Sequence, residues 1–314
     1  MDLTVLLPPS SDRRWTIAQQ LGIDTAVVRF WGEEEWWTHD SLLRTRTRFE
    51  DHGFSLDVVE DRPPMEKTVL GKPGRDEEIE IIKQLIRNMG KVDIGTYCWV
   101  WTENPLGVLR TSDSVPDRGG SLQSGYNHEW MERADDHPEA DITEADLWEN
   151  LKYFLEEVVP VAEEAGVNMA LHPDDPPINE VRGVPRLVTS VDNYERILDL
   201  YDSPRHGVTF CQGNFSAMGA DIPAAIRRLG ESIHFVHFRD VKGTADSFVE
   251  TWHDDGQTDM KAAMDAYRKI EFDGPIRPDH VPRMFHESDR DEAMPGYTDM
   301  GRLYAIGYMR GLLE

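Results

Sequence analysis

Apolar positions along the chain fall into two alternating arrangements. Short β-rich runs occur at 3–7 (LTVLL), 25–30 (TAVVRF), 54–59 (FSLDVV), 93–101 (DIGTYCWVW), 167–172 (VNMALH), 207–211 (GVTFC), 233–238 (IHFVHF) and 274–278 (GPIRP). Longer amphipathic stretches with helical spacing lie between and after them. DRRWTIAQQLG follows the first run, and SLLRTRTRFEDHG, ending at Gly53, follows the second. Residues 75–90 carry acids early and bases late, the order a helix dipole favours. In the stretch 143–166, Thr143 and Asp146 form a capping-box start, and Pro160 is expected to kink or interrupt the helix. Eight strand runs, each followed by a helical stretch, predict a (β/α)8 TIM barrel. A single barrel domain over 1–314 is expected. Its one anomaly is a long polar connection at about 102–142, too long for an ordinary linker and expected as a loop over the mouth of the barrel. The other α/β architecture, an open doubly wound sheet, calls for a Gly-rich phosphate turn after an early strand, and the chain has none.

Composition narrows the class. The formal net charge is −26, spread along the chain without an acidic tail, which argues against nucleic acid and anionic membrane as partners. Arginine outnumbers lysine 25 to eight. A diffuse acidic, lysine-poor surface stays hydrated in concentrated salt, so a halophilic origin is expected. No apolar run is long enough to span a bilayer, and the N-terminal stretch lacks the pattern of a signal peptide. With only two cysteines, Cys98 and Cys211, no disulfide framework is implied, and a cytoplasmic protein is expected. Self-association into a homo-oligomer is left open.

Barrel enzymes carry their chemistry at the carboxyl ends of the strands. Read in order, the last four runs offer His172, Cys211, His237 and Asp279 at those ends. Each has a bland alternative: a strand cysteine is usually a small buried apolar group, a strand histidine is usually satisfied in the core, and an Asp after Pro is often a helix cap. Four such residues on adjacent strands are harder to dismiss. Two imidazoles, a thiolate and a carboxylate suit a divalent transition ion, Mn, Fe, Co or Zn. Strand alternation turns His234 away from the face of His237 and brings Arg239 onto it. Arg239 reads equally as a fork for a substrate carboxylate or as half of an ion pair with Asp240 or another surface acid. Beyond the last strand, His280 adjoins Asp279, and a Pro295–Gly296 turn is placed to lean Tyr297 over the mouth. Either ring is suited to acid–base work near a cation, although a tyrosine there also packs well under the last helix.

The segments LHPDDPP, GVPRLV, TFCQGN, HFVHFRDV, DMKAAMDAY, RPDH and PGY, in this order over 167–314, resemble the mannonate dehydratases; TYCWVW and RTSDS extend the likeness more loosely toward the N-terminus. The resemblance implies a xylose-isomerase-like barrel that dehydrates D-mannonate, a small sugar acid, to 2-keto-3-deoxy-D-gluconate in hexuronate (glucuronate) catabolism, usually with Mn. It places the metal on His172, Cys211, His237 and Asp279, and acid–base work on His280 and Tyr297. The chain departs from the family pattern at Val108 and Leu109, which replace a tryptophan before Arg110, and at Val281, which replaces a glycine. Two other readings are a metal-dependent sugar isomerase or epimerase on the same barrel and an inactive sugar-acid-binding protein. The thiolate and two histidines weigh against the first, and the filled acid–base positions against the second.

Overall fold

A computed structural model describes residues 1–102, 109–285, 287 and 296–314. The first predicted strand is split at Thr4 into β1 (Asp2–Leu3) and β2 (Val5–Leu7), and β3 (Thr25–Val28), β4 (Ser55–Glu60) and β5 (Thr96–Val100) follow. Next come β6 (Ser112–Pro116), β7 (Leu122–Asn127), β8 (Asn168–His172), and the short β9 (Glu180–Val181) and β10 (Val184–Pro185). The last strands are β11 (His206–Cys211), β12 (Ile233–Phe238), β13 (Val241–Thr244), β14 (Ser247–Glu250) and β15 (Pro275–Pro278).

Nine of these strands form one parallel sheet in the order β1-β15-β12-β11-β8-β5-β4-β3-β2. Its two ends are the two halves of one run: β1 pairs with β15, and β2 pairs with β3. Thr4, between the halves, still donates its amide to the Ile276 carbonyl at 2.9 Å. The sheet therefore wraps around on itself as the predicted barrel, with each of the eight expected runs supplying one position.

Alternation divides the side chains between two cores. The outward faces meet the helices in one large apolar cluster that includes Val28, Val59, Trp99, Leu171, Phe210 and Ile276. The inward faces of Leu6, Val27, Val58, Cys98, Ala170 and Phe235 fill the barrel, and Tyr297 packs on them. The helix Glu144–Ala165 starts with the predicted Thr143–Asp146 capping box and continues through Pro160 as one element, so Pro160 does not interrupt it. Val158, Val159, Val161 and Ala162 around the proline are all buried, so packing holds the helix where one backbone donor is missing.

The second correction concerns the long connection. Residues 103–108, including Val108, lie outside the described residues. From 109 onward the segment is not simply a loop: β6 and β7 join β14 and β13 in a four-stranded antiparallel sheet, order β13-β14-β7-β6. Strand β7 pairs with β14, more than a hundred residues later in the chain. A polar run whose partner is so distant gives no local strand signal.

Candidate active site

The layer of side chains that fills the barrel locates the layer above it. Residues two apart share a face of a strand. Val27 is thus followed by Arg29, Val58 by Glu60, Ala170 by His172 and Phe235 by His237. Thr209, whose hydroxyl contacts Cys98 Sγ at 3.2 Å, is followed by Cys211, and Arg277 by Asp279. Register sets Cys211 beside His237 and His237 beside Arg277, with Asp279 two residues farther along the chain. Over this ring sits a cavity of about 620 Å³, walled by Arg29, Glu60, His237 and Asp279 of the ring but not by Cys211, by the His172–Asp175 loop, and by Arg110, Asp113 and Ser124 of the long connection.

His172, Cys211 and His237 bring one donor atom each within 4.8 Å of one another. The His172 Nδ1 lies 2.7 Å from the Pro173 carbonyl, which only accepts, so Nδ1 carries the proton and Nε2 keeps a lone pair. Burial pushes the His172 pKa down, and the neutral ring is the form that binds a metal. The ring of the fully buried His237 has Nε2 3.2 Å from Glu60 and Nδ1 3.6 Å from Asp279, but neither nitrogen makes a well-aligned hydrogen bond. Buried imidazole nitrogens without an aligned hydrogen bond, grouped with a thiol sulfur, fit a divalent transition ion. A second grouping, Glu60, Cys98 and His237, shares His237, but burial and the Glu60 charge push the Cys98 thiol well above its usual range, which disfavours the thiolate. The Asp279 carboxylate stands beside the first group, 3.6 Å from His237 Nδ1. It accepts from Arg277 at 2.7 Å and from the Tyr297 hydroxyl at 3.0 Å. Burial alone would raise its pKa; Arg277, His280, His237 and Arg239 outweigh that and hold it well below the carboxylate range.

His280 and Tyr297 face one another with ring centroids 5.5 Å apart. His280 Nε2 is 3.7 Å from Asp279 and Nδ1 is 3.5 Å from Glu250. Burial pushes its pKa down, with the Arg239 and Arg110 charges working in the same direction against Glu250 and Asp279. Its backbone sits at φ 37°, a left-handed conformation costly for a side-chain-bearing residue. Gly296, at φ +83°, fits against it, since a Cβ there would come 3.0 Å from His280 Nδ1. Pro295, the other half of the expected turn, lies outside the described residues. Burial and the Asp279 charge raise the Tyr297 pKa, so the phenol stays protonated.

Arg239 requires a correction. Its side chain is 1% exposed and does not line the cavity. It donates to Glu250 at 2.9 and 3.0 Å, to Asp175 at 3.2 Å and to Asn214, and its Nε lies 3.3 Å from Cys211 Sγ. Gly213 makes room for it: a Cβ there would lie 2.4 Å from the guanidinium. The side chain forms ion pairs, but with the buried acids Glu250 and Asp175 and not with Asp240 or another surface acid as expected. Arg110 grips the same two acids, Asp175 at 2.7 Å and Glu250 at 2.5 Å. The stiff loop after His172 is held by these ions: Asp174 pairs with Arg186 at 3.1 Å, and Asp175 with both Arg110 and Arg239. Glu60, Arg29 and Arg277 complete the ring but escaped the sequence reading, which examined the ends of strands five to eight only. Arg277 holds Glu60 at 2.8 Å; burial would raise the Glu60 pKa, but Arg277 and His237 bring it to about 2. Carrying the period of two past Val27 and Val58 would have found both Arg29 and Glu60.

The solved structure of mannonate dehydratase from Streptococcus suis serotype 2 superimposes with a TM-score of 0.90 at 31% identity, covering 99% of this chain and 92% of that one. A D-psicose 3-epimerase from Clostridium cellulolyticum matches with a TM-score of 0.66 but only 15% identity, which shows a shared fold alone. Mannonate dehydratase 2 of Halalkalibacterium halodurans is 38% identical over 307 residues, 88% of this chain and 87% of its own length. Mannonate dehydratase of Streptococcus equi subsp. zooepidemicus is 34% identical over 313 residues, 88% of this chain and 83% of its own. The profile of the D-mannonate dehydratase (UxuA) family matches residues 16–140 and 137–314, and with these relatives it shows that the chain belongs to that family of hydro-lyases.

Proposed function

We propose that the protein dehydrates D-mannonate to 2-keto-3-deoxy-D-gluconate, with a divalent ion, Mn by preference, held by His172, Cys211, His237 and Asp279. The observation that carries this reading is the convergence of donor atoms of His172, Cys211 and His237 beside the Tyr297–Asp279–His280 arrangement. Removing the C2 proton of an aldonate builds negative charge on the adjacent carboxylate, and departure of the C3 hydroxyl needs a proton. A bound ion would supply electrostatic stabilisation of that charge. His280 and Tyr297 are the acid–base pair, and Asp279 orients Tyr297 through their 3.0 Å hydrogen bond. Arg239 is a positioning residue beneath Cys211 and Asp175. The enol product tautomerises to the keto acid without further help.

The reaction belongs to hexuronate (glucuronate) breakdown, and we assign the protein to the cytoplasm of a salt-adapted organism on its charge and cysteine usage. The epimerase alternative draws on likeness of fold only, at 15% identity or lower. The test is a keto-acid assay on D-mannonate, D-gluconate and D-xylose in parallel, with EDTA and with Mn restored. Keto acid from D-mannonate, lost in EDTA and recovered with Mn, is the expected result. Isomerised xylose with no keto acid from either aldonate would reverse the assignment.

A further inference from the structure

Four arginines reach the cavity: Arg29, Arg62, Arg110 and Arg277. Three are committed within the protein. Arg277 holds Glu60 and Asp279, Arg110 holds Asp175 and Glu250, and Arg62 has a partner of its own. Arg29 differs. Among the described residues it makes no ion pair, and its buried Nε has no hydrogen-bond partner. The nearest acid in sequence, Asp61, has its oxygens engaged by the Phe30 and Arg62 amides at 2.6 and 2.7 Å. A guanidinium facing a cavity with its donors unspent is costly unless something arrives to meet it.

We propose that Arg29 is the anchor for the carboxylate of the sugar-acid substrate, the role that Arg239 is too deeply buried to play. This inference rests on the dehydratase reading. Position supports it: Val27 points into the barrel, so Arg29, two residues on, stands on the same face at the mouth. It is close enough to Tyr297 for its charge to act on the phenol. Charge balance supports it too. A chain of net charge −26 repels an anion, so the substrate needs a local cation. Of the acids lining the cavity, Glu60, Asp174, Asp175 and Asp279 are each matched by another arginine, and Asp61, whose charge is felt by Arg29, makes no ion pair with it among the described residues. The planar fork of an arginine suits a carboxylate better than any other side chain.

The experiment compares Mn-loaded wild type with Arg29→Met and Arg29→Lys. In Arg29→Met, KM for D-mannonate should rise about a hundredfold, while kcat changes less than about tenfold. Arg29→Lys, which keeps the charge but not the fork, should fall between the two. Mn content and thermal midpoint should match wild type in both, because no internal partner is lost. An unchanged KM in Arg29→Met, with wild type active, overturns the anchor and leaves the dehydratase reading standing. If wild type makes no keto acid, calorimetric titration with D-mannonate and D-gluconate decides. Binding to wild type that is lost in Arg29→Met keeps the anchor and rejects the dehydratase; equal binding to both proteins, or none to wild type, overturns the anchor.

Discussion

In the proposed site, Cys211 and Tyr297 have two separable jobs. Cys211 offers the only sulfur in the His172–Cys211–His237 group, and it is fully buried at the end of β11. Replacing it with Ala removes one donor atom and little core volume, so we expect Mn content by elemental analysis to fall and turnover to drop by at least about a hundredfold, with the fold intact. Unchanged metal content and turnover would remove it from the ligand set. Tyr297→Phe keeps the ring that packs on the barrel interior and deletes only the hydroxyl bonded to Asp279. Here kcat should fall while metal content stays at the wild-type level; wild-type kcat would return Tyr297 to a packing role. That the four candidate donors come together was legible because strand ends and side-chain alternation are local properties of the chain. Arg239 was misjudged for the opposite reason. Alternation correctly put it on the face of His237, but which acid meets it depends on Glu250 and Asp175, which nothing local to Arg239 announces.

At the scale of elements, Glu250 links the two sheets. It lies at the end of β14, in the antiparallel sheet, and holds Arg239 just beyond barrel strand β12 and Arg110 from the long connection. All three side chains are at least 88% buried, so the pairs are shielded from solvent screening. Glu250→Ala leaves two buried guanidiniums short of a carboxylate. Breaking such a pair costs about 3–5 kcal/mol, and we expect a loss of that order in urea unfolding, accompanied by weaker binding of D-mannonate as the Arg110 wall loosens. Loss below about 1 kcal/mol would mean that Asp175 alone satisfies both arginines. The eight strand–helix repeats were readable from periodicity. The antiparallel sheet was not, because β6 and β7 are polar and β7 takes its second partner, β14, from the hairpin that follows β12. Pro160 shows tertiary packing overriding a local rule in the same way.

For the whole molecule, protons and salt act on stability with opposite reach. His234 is turned away from the mouth, over Gly207, where a Cβ would come 2.3 Å from its ring. Burial, with the nearby His206 and Arg205 charges, lowers its pKa from 6.5 to about 4. A folded-state pKa below the unfolded one means that the unfolded chain binds the proton first. The stability it contributes is therefore complete above pH 6.5 and is lost as pH falls toward 4, by about 3 kcal/mol at most. His234→Gln should flatten that part of the stability curve in urea titrations at pH 7, 5.5 and 4.5; an identical curve would show that other groups set the acid limit. Salt acts on the surface instead. The formal net charge of −26 produces self-repulsion over the whole surface, and the Debye length shrinks from about 10 Å at 0.1 M to about 3 Å at 1 M. The same screening weakens exposed ion pairs such as Arg228–Glu195 and Lys261–Asp265, but such pairs are worth only about 0–1 kcal/mol each. The buried Arg110–Asp175–Arg239–Glu250 network is largely beyond its reach. Relief of repulsion should therefore outweigh the loss of surface pairs, and the thermal midpoint should rise as KCl is taken from 0.1 M toward molar levels. A midpoint that falls over that range would mean that the surface pairs matter more than the net charge, and it would remove the argument for a salt-adapted protein.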